Sequence, residues 1–282
     1  MILIKNAVEL QNWMSKQKLK SLKIGFIPTM GALHKGHISL ITNSKSQNLL
    51  TVCSIFVNPT QFNDPSDFAK YPQTIESDIL ALEKAGTDLL FLPNQAQIYP
   101  LGTENQPNYD LGNLENLLEG KYRPGHFQGV CQVVDRLLEL VQPDKLFLGQ
   151  KDFQQCMVIQ KLLALKQSQT ELIICPTLRE ASGLAMSSRN MRLSIEGRQK
   201  AAMIYQVLRN IQTNLLSNAT IEELLEEGKS SLLVAGFDSI DYLELVAVQS
   251  LEDIPNWEPN IQAVLIIAVY LEGVRLIDNL PI

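Results

Sequence analysis

The feature that most constrains this chain is an alternation. Apolar runs at 22–29 ("LKIGFIPT"), 49–57 ("LLTVCSIFV"), 88–93 ("DLLFLP"), 145–150 ("KLFLGQ") and 171–176 ("ELIICP") are separated by helical patterns near 36–46, 74–85, 128–141 and 152–167. In "VCQVVDRLLELV" apolar residues recur at three- and four-residue steps and give one buried stripe. Such alternation predicts an α/β fold, a Rossmann-like parallel sheet flanked by helices. Ligands of such sheets gather at the carboxyl ends of the strands. Three polar segments begin at these ends: "PTMGALHKGH", "NPTQF" and "GQKDFQQ".

After Pro176 the texture changes. "LREASGLAMSSRN" is a polar, small-residue loop, and a helical stretch follows from about Ser194 to Leu216. "TIEELLEEGKSSLLVAG" opens with a capping-box pattern, Thr220 followed by Glu223. Two alternating segments close the chain, with Gly273 near a turn. The expected organisation is a nucleotide-binding domain over 1–175 and a smaller α+β domain over 176–282, carrying the loop at 186–189 and covering the site.

The 282 residues suffice for two cores, and 45% hydrophobic with 19% charged residues is ordinary globular composition. A net charge of −6 and the lack of a basic stripe argue against nucleic acid as a partner. No apolar run approaches the ~20 residues a bilayer span needs. "MILIKNAVELQNWM" reads as a short strand and a helix rather than a secretion signal, so a cytoplasmic location is expected. Cys53, Cys131, Cys156 and Cys175 are widely spaced inside apolar segments, which predicts buried thiols in a reducing compartment.

Two of the three histidines, His34 and His37, stand three residues apart where a strand should give way to a helix near Gly36. They can share a helix face, beside backbone amides that attract phosphate oxygens. A metal site is the competing reading, but no third histidine or cysteine stands at a matching spacing. G-x-G-x-x-G and a complete Walker A motif are both absent; "GKS" at 228–230 has Glu223 where a glycine is required. Asn58 and Gln61 offer amides at the next strand end, with Pro59 and Pro65 expected to prevent a helix from starting there. Lys151 is placed to reach a phosphate at the start of a helix, Asp152 to cap it or to meet a ribose hydroxyl, and Gln155 lies one turn on. Arg189, in "GLAMSSRN", could hold leaving phosphates.

Taken together, "PTMGALHKGH", "SIFVNPTQF", "YPQT", "EGKYRPGHFQGV", "GQKDFQQ" and "GLAMSSRN" resemble the signatures of the pantoate–β-alanine ligase (pantothenate synthetase) family, in that family's order. The resemblance covers nearly the whole chain and is weakest after about Leu193. It implies that (R)-pantoate attacks the α-phosphorus of MgATP to give pantoyl adenylate and pyrophosphate. β-Alanine then attacks the acyl carbon, releasing pantothenate and AMP. It implies ATP contacts from Met30, Gly31, Ala32, Leu33, His34, Lys35, Gly36 and His37, with His37 the proton donor and His34 stabilising phosphate charge. Further ATP contacts are implied for Gly149, Gln150, Lys151 and Asp152, for Leu178 through its backbone, and for Met186, Ser187, Ser188 and Arg189, a counterpart of the mobile lysine–serine loop of class I aminoacyl-tRNA synthetases. Pantoate is expected at Gln61 and Gln155, with Asn58 as a further candidate, and β-alanine at Gln61. A homodimer is also implied, and no organic prosthetic group.

Two positions depart from the family pattern. Gln150 stands where Glu is common, which removes a charge near the phosphates, and only Asp78 remains of an acidic pair in "IESDIL", beside Ser77. Asp78 is thereby a candidate magnesium contact. Arg123 and His126, in "RPGHF", are expected on a loop closing over the site, with plain surface placement as the alternative. Other readings are a nucleotidyltransferase of the H-x-G-H type, a nucleotide sensor without turnover, and a metal-dependent hydrolase. The first of these has no evident need for "NPTQF" and "GQKDFQQ".

Overall fold

The computed structural model describes residues 1–63, 68–104, 106–216 and 219–282. The chain forms two compact units, one comprising Met1–Gly149 with Gln155–Cys175, the other Gln150–Gln154 with Pro176–Ile282. The short segment 150–154 lies inside the 1–175 range yet groups with the second unit.

The first unit is a six-stranded, wholly parallel sheet: β1 (Ile2–Ile4), β2 (Ile24–Thr29), β3 (Leu50–Ile55), β4 (Leu89–Phe91), β5 (Lys145–Gly149) and β6 (Glu171–Cys175), in the order β1-β4-β3-β2-β5-β6. The expected strands and helices are all present, with ends shifted by no more than two residues. Neighbouring residues of a strand feed opposite layers, as the two-residue period requires. Phe26 and Val52 join one core with Leu10 and Met14 of helix Ala7–Leu19, Leu137 of helix His126–Val141 and Ile159 of helix Phe153–Leu165. Ile27 and Cys53 join the other, with Leu40 and Ile41 of helix Lys35–Ser46 and Leu82 of helix Ile75–Lys84. Burial of that many large aliphatic side chains, each worth about 1.5–3 kcal/mol, is what holds the three layers together.

The chain runs outward from β2 through β3 to β4, then returns to place β5 on the opposite side of β2. The carboxyl ends of β2 and β5 therefore flank the point where strand order reverses, which is where such sheets bind ligands.

In the second unit, β7 (Ser239–Ala247), β8 (Ala263–Leu271) and β9 (Val274–Pro281) form an antiparallel sheet, with the β8–β9 turn at Glu272 and Gly273. The apolar run from Val264 lies in β8, the central strand, where nearly every side chain is buried. The helical stretch expected from Ser194 to Leu216 is divided into helices Ile195–Ala201 and Met203–Asn214. Helix Ile221–Val234 begins with the reciprocal Thr220–Glu223 capping box. Among the described residues no helix is long and apolar enough to cross a membrane.

Candidate active site

β2 ends at Thr29, and the backbone then makes two left-handed steps, Gly31 (φ 83°) and Ala32 (φ 49°). A side chain at position 31 would be strained by that backbone, and its Cβ would stand 3.2 Å from Asp78 Oδ2. Asp78 explains why the non-glycine Ala32 tolerates its conformation. Its Oδ2 accepts the Ala32 N–H at 3.0 Å, and its Oδ1 accepts the Leu33 N–H at 2.8 Å and the Thr74 hydroxyl at 3.0 Å. The side chain is 2% exposed. Asp78 is thus a buried anchor for the loop through both of its oxygens.

The helix starts one residue before Gly36, at Lys35, with His34 as its N-cap. His34 Nδ1 accepts the Gly36 N–H at 3.1 Å, and His37 Nδ1 accepts the His34 N–H at 3.3 Å. This is a capping box built from two imidazoles, whose ring centroids lie 4.0 Å apart. A nitrogen that accepts from a backbone amide carries no proton, so the neutral ring holds its proton on Nε2. Each histidine is a cap through one nitrogen and a hydrogen-bond donor through the other. The helix macrodipole adds a preference for anions at this end.

At the end of β3 the expected proline break is instead a 3₁₀ turn, Pro59–Gln61, with Pro59 at its first position, where a missing N–H costs nothing. Pro65 lies outside the described residues. Asn58, 1% exposed, is fully engaged. Its Nδ2 donates to Gln61 Oε1 (3.2 Å) and Gly129 O (3.1 Å), while its Oδ1 accepts the Tyr99 hydroxyl (2.9 Å). Burial holds the Tyr99 phenol above its ordinary pKa, despite opposing hydrogen bonds with Thr60 and Asn58, so it remains a donor. Asn58 thereby orients the Gln61 side chain. With Oε1 taken, Gln61 presents its NH₂ group, which lies 3.1 Å from Met30 Sδ.

Arg123 lies, partly buried, in the bend between helices Leu118–Tyr122 and His126–Val141, whereas His126 is not on a loop. His126 is 6% exposed and opens the helix His126–Val141. Its Nδ1 is 2.7 Å from the Gln61 carbonyl oxygen, and Arg123 also donates to that oxygen at 3.3 Å.

Of the remaining residues, Gly149 and Gln155 belong to the first unit and the others to the second. Lys151 lies in the turn ahead of helix Phe153–Leu165 rather than at its first residue, and Asp152 immediately precedes that helix. The Asn279 amide donates to the Gln150 and Lys151 carbonyls, both at 2.9 Å, and its Oδ1 accepts the Gln150 side-chain amide at 3.1 Å. Next to it in β9, Asp278 pairs with Arg179 at 2.6 and 3.0 Å; burial pushes this carboxyl's pKa up, against the lowering effect of Arg179. Met186 N donates to Leu178 O at 3.0 Å, and Ser187 Oγ caps the 3₁₀ turn Ser188–Arg192 through the Arg189 N–H. The expected polar loop thus carries ties at Met186 and Ser187. Gln155 lies in the first turn of helix Phe153–Leu165.

Sequence reasoning missed Asn279 and Tyr99. Both lie outside the motifs, and only long-range contacts single them out. The four cysteines are buried thiols, as expected.

A parallel α/β sheet with a two-histidine helix entrance at its switch point defines a nucleotide-binding α/β enzyme. The match to known proteins makes this specific. The family model described as pantoate-beta-alanine ligase matches residues 2–281. The pantothenate synthetase of Cytophaga hutchinsonii is 46% identical over 283 residues, spanning 100% of this chain and 99% of its own. That of Bacteroides fragilis is 41% identical, over 96% and 95%. The crystal structure of the Thermus thermophilus pantothenate synthetase superposes with a TM-score of 0.89 at 37% identity, covering 99% of each chain. The Francisella tularensis pantoate-beta-alanine ligase, complexed with beta-gamma ATP and beta-alanine, gives 0.84 at 39% identity, covering 100% and 97%. The chain belongs to the pantoate–β-alanine ligase family.

Proposed function

We propose that the paired imidazoles of His34 and His37 are the phosphate grip of the family's reaction, the ATP-dependent joining of (R)-pantoate and β-alanine to give pantothenate, AMP and pyrophosphate. The observation that carries this is the double use of each ring: Nδ1 caps the helix, so the proton sits on Nε2 at a dipole that favours anions. As the pantoate carboxylate attacks the α-phosphorus, negative charge builds on the departing pyrophosphate. His37 donates to it, and His34 shares the load. The loop Met30–Leu33 and the residues Lys35 and Gly36 surround the nucleotide, with Asp78 fixing the loop's path.

The Gln61 NH₂ group suits a hydroxyl or carboxylate oxygen of pantoate and borders the β-alanine pocket, and Gln155 is a second pantoate contact. The amine of β-alanine attacks the acyl carbon of the adenylate, and AMP leaves. To Gly149, Gln150, Lys151, Asp152, Leu178, Met186, Ser187, Ser188 and Arg189 we assign ATP contacts, with Lys151 and Arg189 supplying positive charge. Magnesium enters as part of the substrate, on the phosphates. Among the described residues no three His, Cys, Asp or Glu side chains gather into a resident metal site. We further assign a cytoplasmic homodimer.

His37→Asn and His37→Gln test the grip. Asn keeps an acceptor near the Nδ1 position and so keeps the cap; Gln places an amide near Nε2. Pantoate-dependent pyrophosphate release should fall by about 10²-fold or more with Asn at unchanged thermal stability, and less with Gln. Near-parental release by the Asn variant would remove His37 from the chemistry.

A further inference from the structure

Gln61 is held from two directions: Asn58 fixes its side chain, while its main chain rests on the first turn of helix His126–Val141. Arg123 Nη1 lies 3.1 Å from His126 Nε2. Arginine can only donate, so Nε2 is the acceptor and the imidazole proton is on Nδ1, aimed at the Gln61 carbonyl 2.7 Å away. The same carbonyl receives Arg123 Nη2.

Three residues along the same helix, Gly129 brings the two backbones into contact. A Cβ there would collide with Thr60 O and stand 2.9 Å from Gln61 N, closer than real Cβ atoms approach. The Gly129 carbonyl also accepts the Asn58 amide. Positions 126 and 129 share a helix face, so this face is a mould for the Pro59–Gln61 turn, in which a carbonyl is clamped, an amide is crowded and the side chain is aimed.

We propose that His126 is a positioning residue for the substrate carboxylate and hydroxyl groups held by Gln61. Through its Nδ1–H it fixes the Gln61 main chain and thereby the direction of the Gln61 NH₂ donors. Gly129 supplies the contact that keeps the turn in register, and Arg123 selects the histidine tautomer that can donate. This rests on the assignment of Gln61 as a pantoate and β-alanine contact. The three residues do not themselves touch a reacting atom in this scheme. They tune recognition of the hydroxy acid and leave the nucleotide end alone.

The test compares His126→Asn with His126→Gln, alone and in a Gln61→Ala background. Asparagine places an amide N–H near the Nδ1 position and should stay within about threefold of the parent KM for pantoate. Glutamine places it near Nε2 and should raise that KM about tenfold, with KM for ATP unchanged. In the Gln61→Ala background the glutamine change should add nothing, because the group it aims is gone. Equal damage from Asn and Gln, or a parallel rise in KM for ATP, would assign His126 a general structural role and overturn the proposal. If Gln61→Ala raises KM for pantoate and His126→Gln does not, the clamp alone fails. If Gln61→Ala is itself silent, the ligand assignment fails and takes the clamp with it.

Discussion

The replacement Asp78→Asn isolates what holds the nucleotide loop. Asparagine keeps one oxygen, which serves the Leu33 N–H and the Thr74 hydroxyl if placed at Oδ1. Its NH₂ then faces the Ala32 N–H, donor against donor, where Oδ2 now accepts at 3.0 Å. One hydrogen bond to a charged group is lost, worth about 1.5–3 kcal/mol, and a buried amide is orphaned at a further cost of about 1–3 kcal/mol. The site is 2% exposed, so water does not make good the loss.

Part of this is offset because Ala32 can leave its left-handed φ of 49°, a conformation that costs about 1 kcal/mol. A net penalty of about 1.5–5 kcal/mol remains, paid either as global stability or as loop relaxation that ATP must reverse. Urea unfolding reads the first, and kcat/KM for ATP reads the second. We expect the sum of the two free-energy losses to reach about 1.5–5 kcal/mol, each factor of ten in kcat/KM for ATP counting for about 1.4 kcal/mol of it. A magnesium titration separates the alternative role. If stability stays within about 0.5 kcal/mol of the parent and millimolar magnesium restores activity, Asp78 is an ion ligand and the anchoring argument is wrong.

Two further outcomes follow from other long-range contacts. Asn279→Leu removes the donors to the Gln150 and Lys151 carbonyls and the acceptor for the Gln150 amide, so steady-state kinetics should show KM for ATP raised about tenfold and KM for β-alanine nearly unchanged; equal effects on both would unseat Asn279 as the support of the lysine turn. Burial pushes the Cys53 and Cys131 thiols up from 9.0 to about 12, so a thiol reagent at pH 8 should react with them only on unfolding. Because the unfolded thiols ionise first as pH rises, their contribution to stability should be constant below about 9 and be lost between 9 and 12; rapid labelling of both thiols in the folded protein would contradict this.

The parallel sheet was legible because its information is local: each strand is a short apolar run, and each helix carries its own stripe. The motif loops were legible for the same reason, since H-x-G-H, N-P-T-Q and G-Q-K-D each fall within four residues. What escaped were the partners that make those loops rigid. Asp78 reaches Ala32 across 46 positions, His126 reaches Gln61 across 65, and Asn279 reaches Lys151 across 128. No period or composition links such pairs. Asp78 shows what the local reading leaves out: a lone carboxylate near a phosphate motif suggests a cation, and only its burial and two backbone donors reveal that it anchors the loop. Pro59 shows a second limit, because proline forbids a helix interior but favours a first turn.

The pair of histidines can now be set against the residues that ordinarily cap helices. Serine, aspartate or asparagine at position 34 would satisfy the Gly36 amide as well as an imidazole does. None of them would leave a second polar atom on the far side of a rigid ring, and an aspartate would repel the phosphates. Imidazole resolves both demands, because binding the amide at Nδ1 leaves the proton of the neutral ring on Nε2. The three-residue spacing then follows from the capping box itself, in which the N-cap and the third helical residue exchange bonds with each other's backbone. The spacing that brings both rings to one phosphate site is the same spacing that closes the box. In the proposed role the same pair of rings serves helix capping through Nδ1 and the phosphate grip through Nε2, which is why the His37→Asn and His37→Gln pair, rather than alanine, is the substitution that can tell them apart.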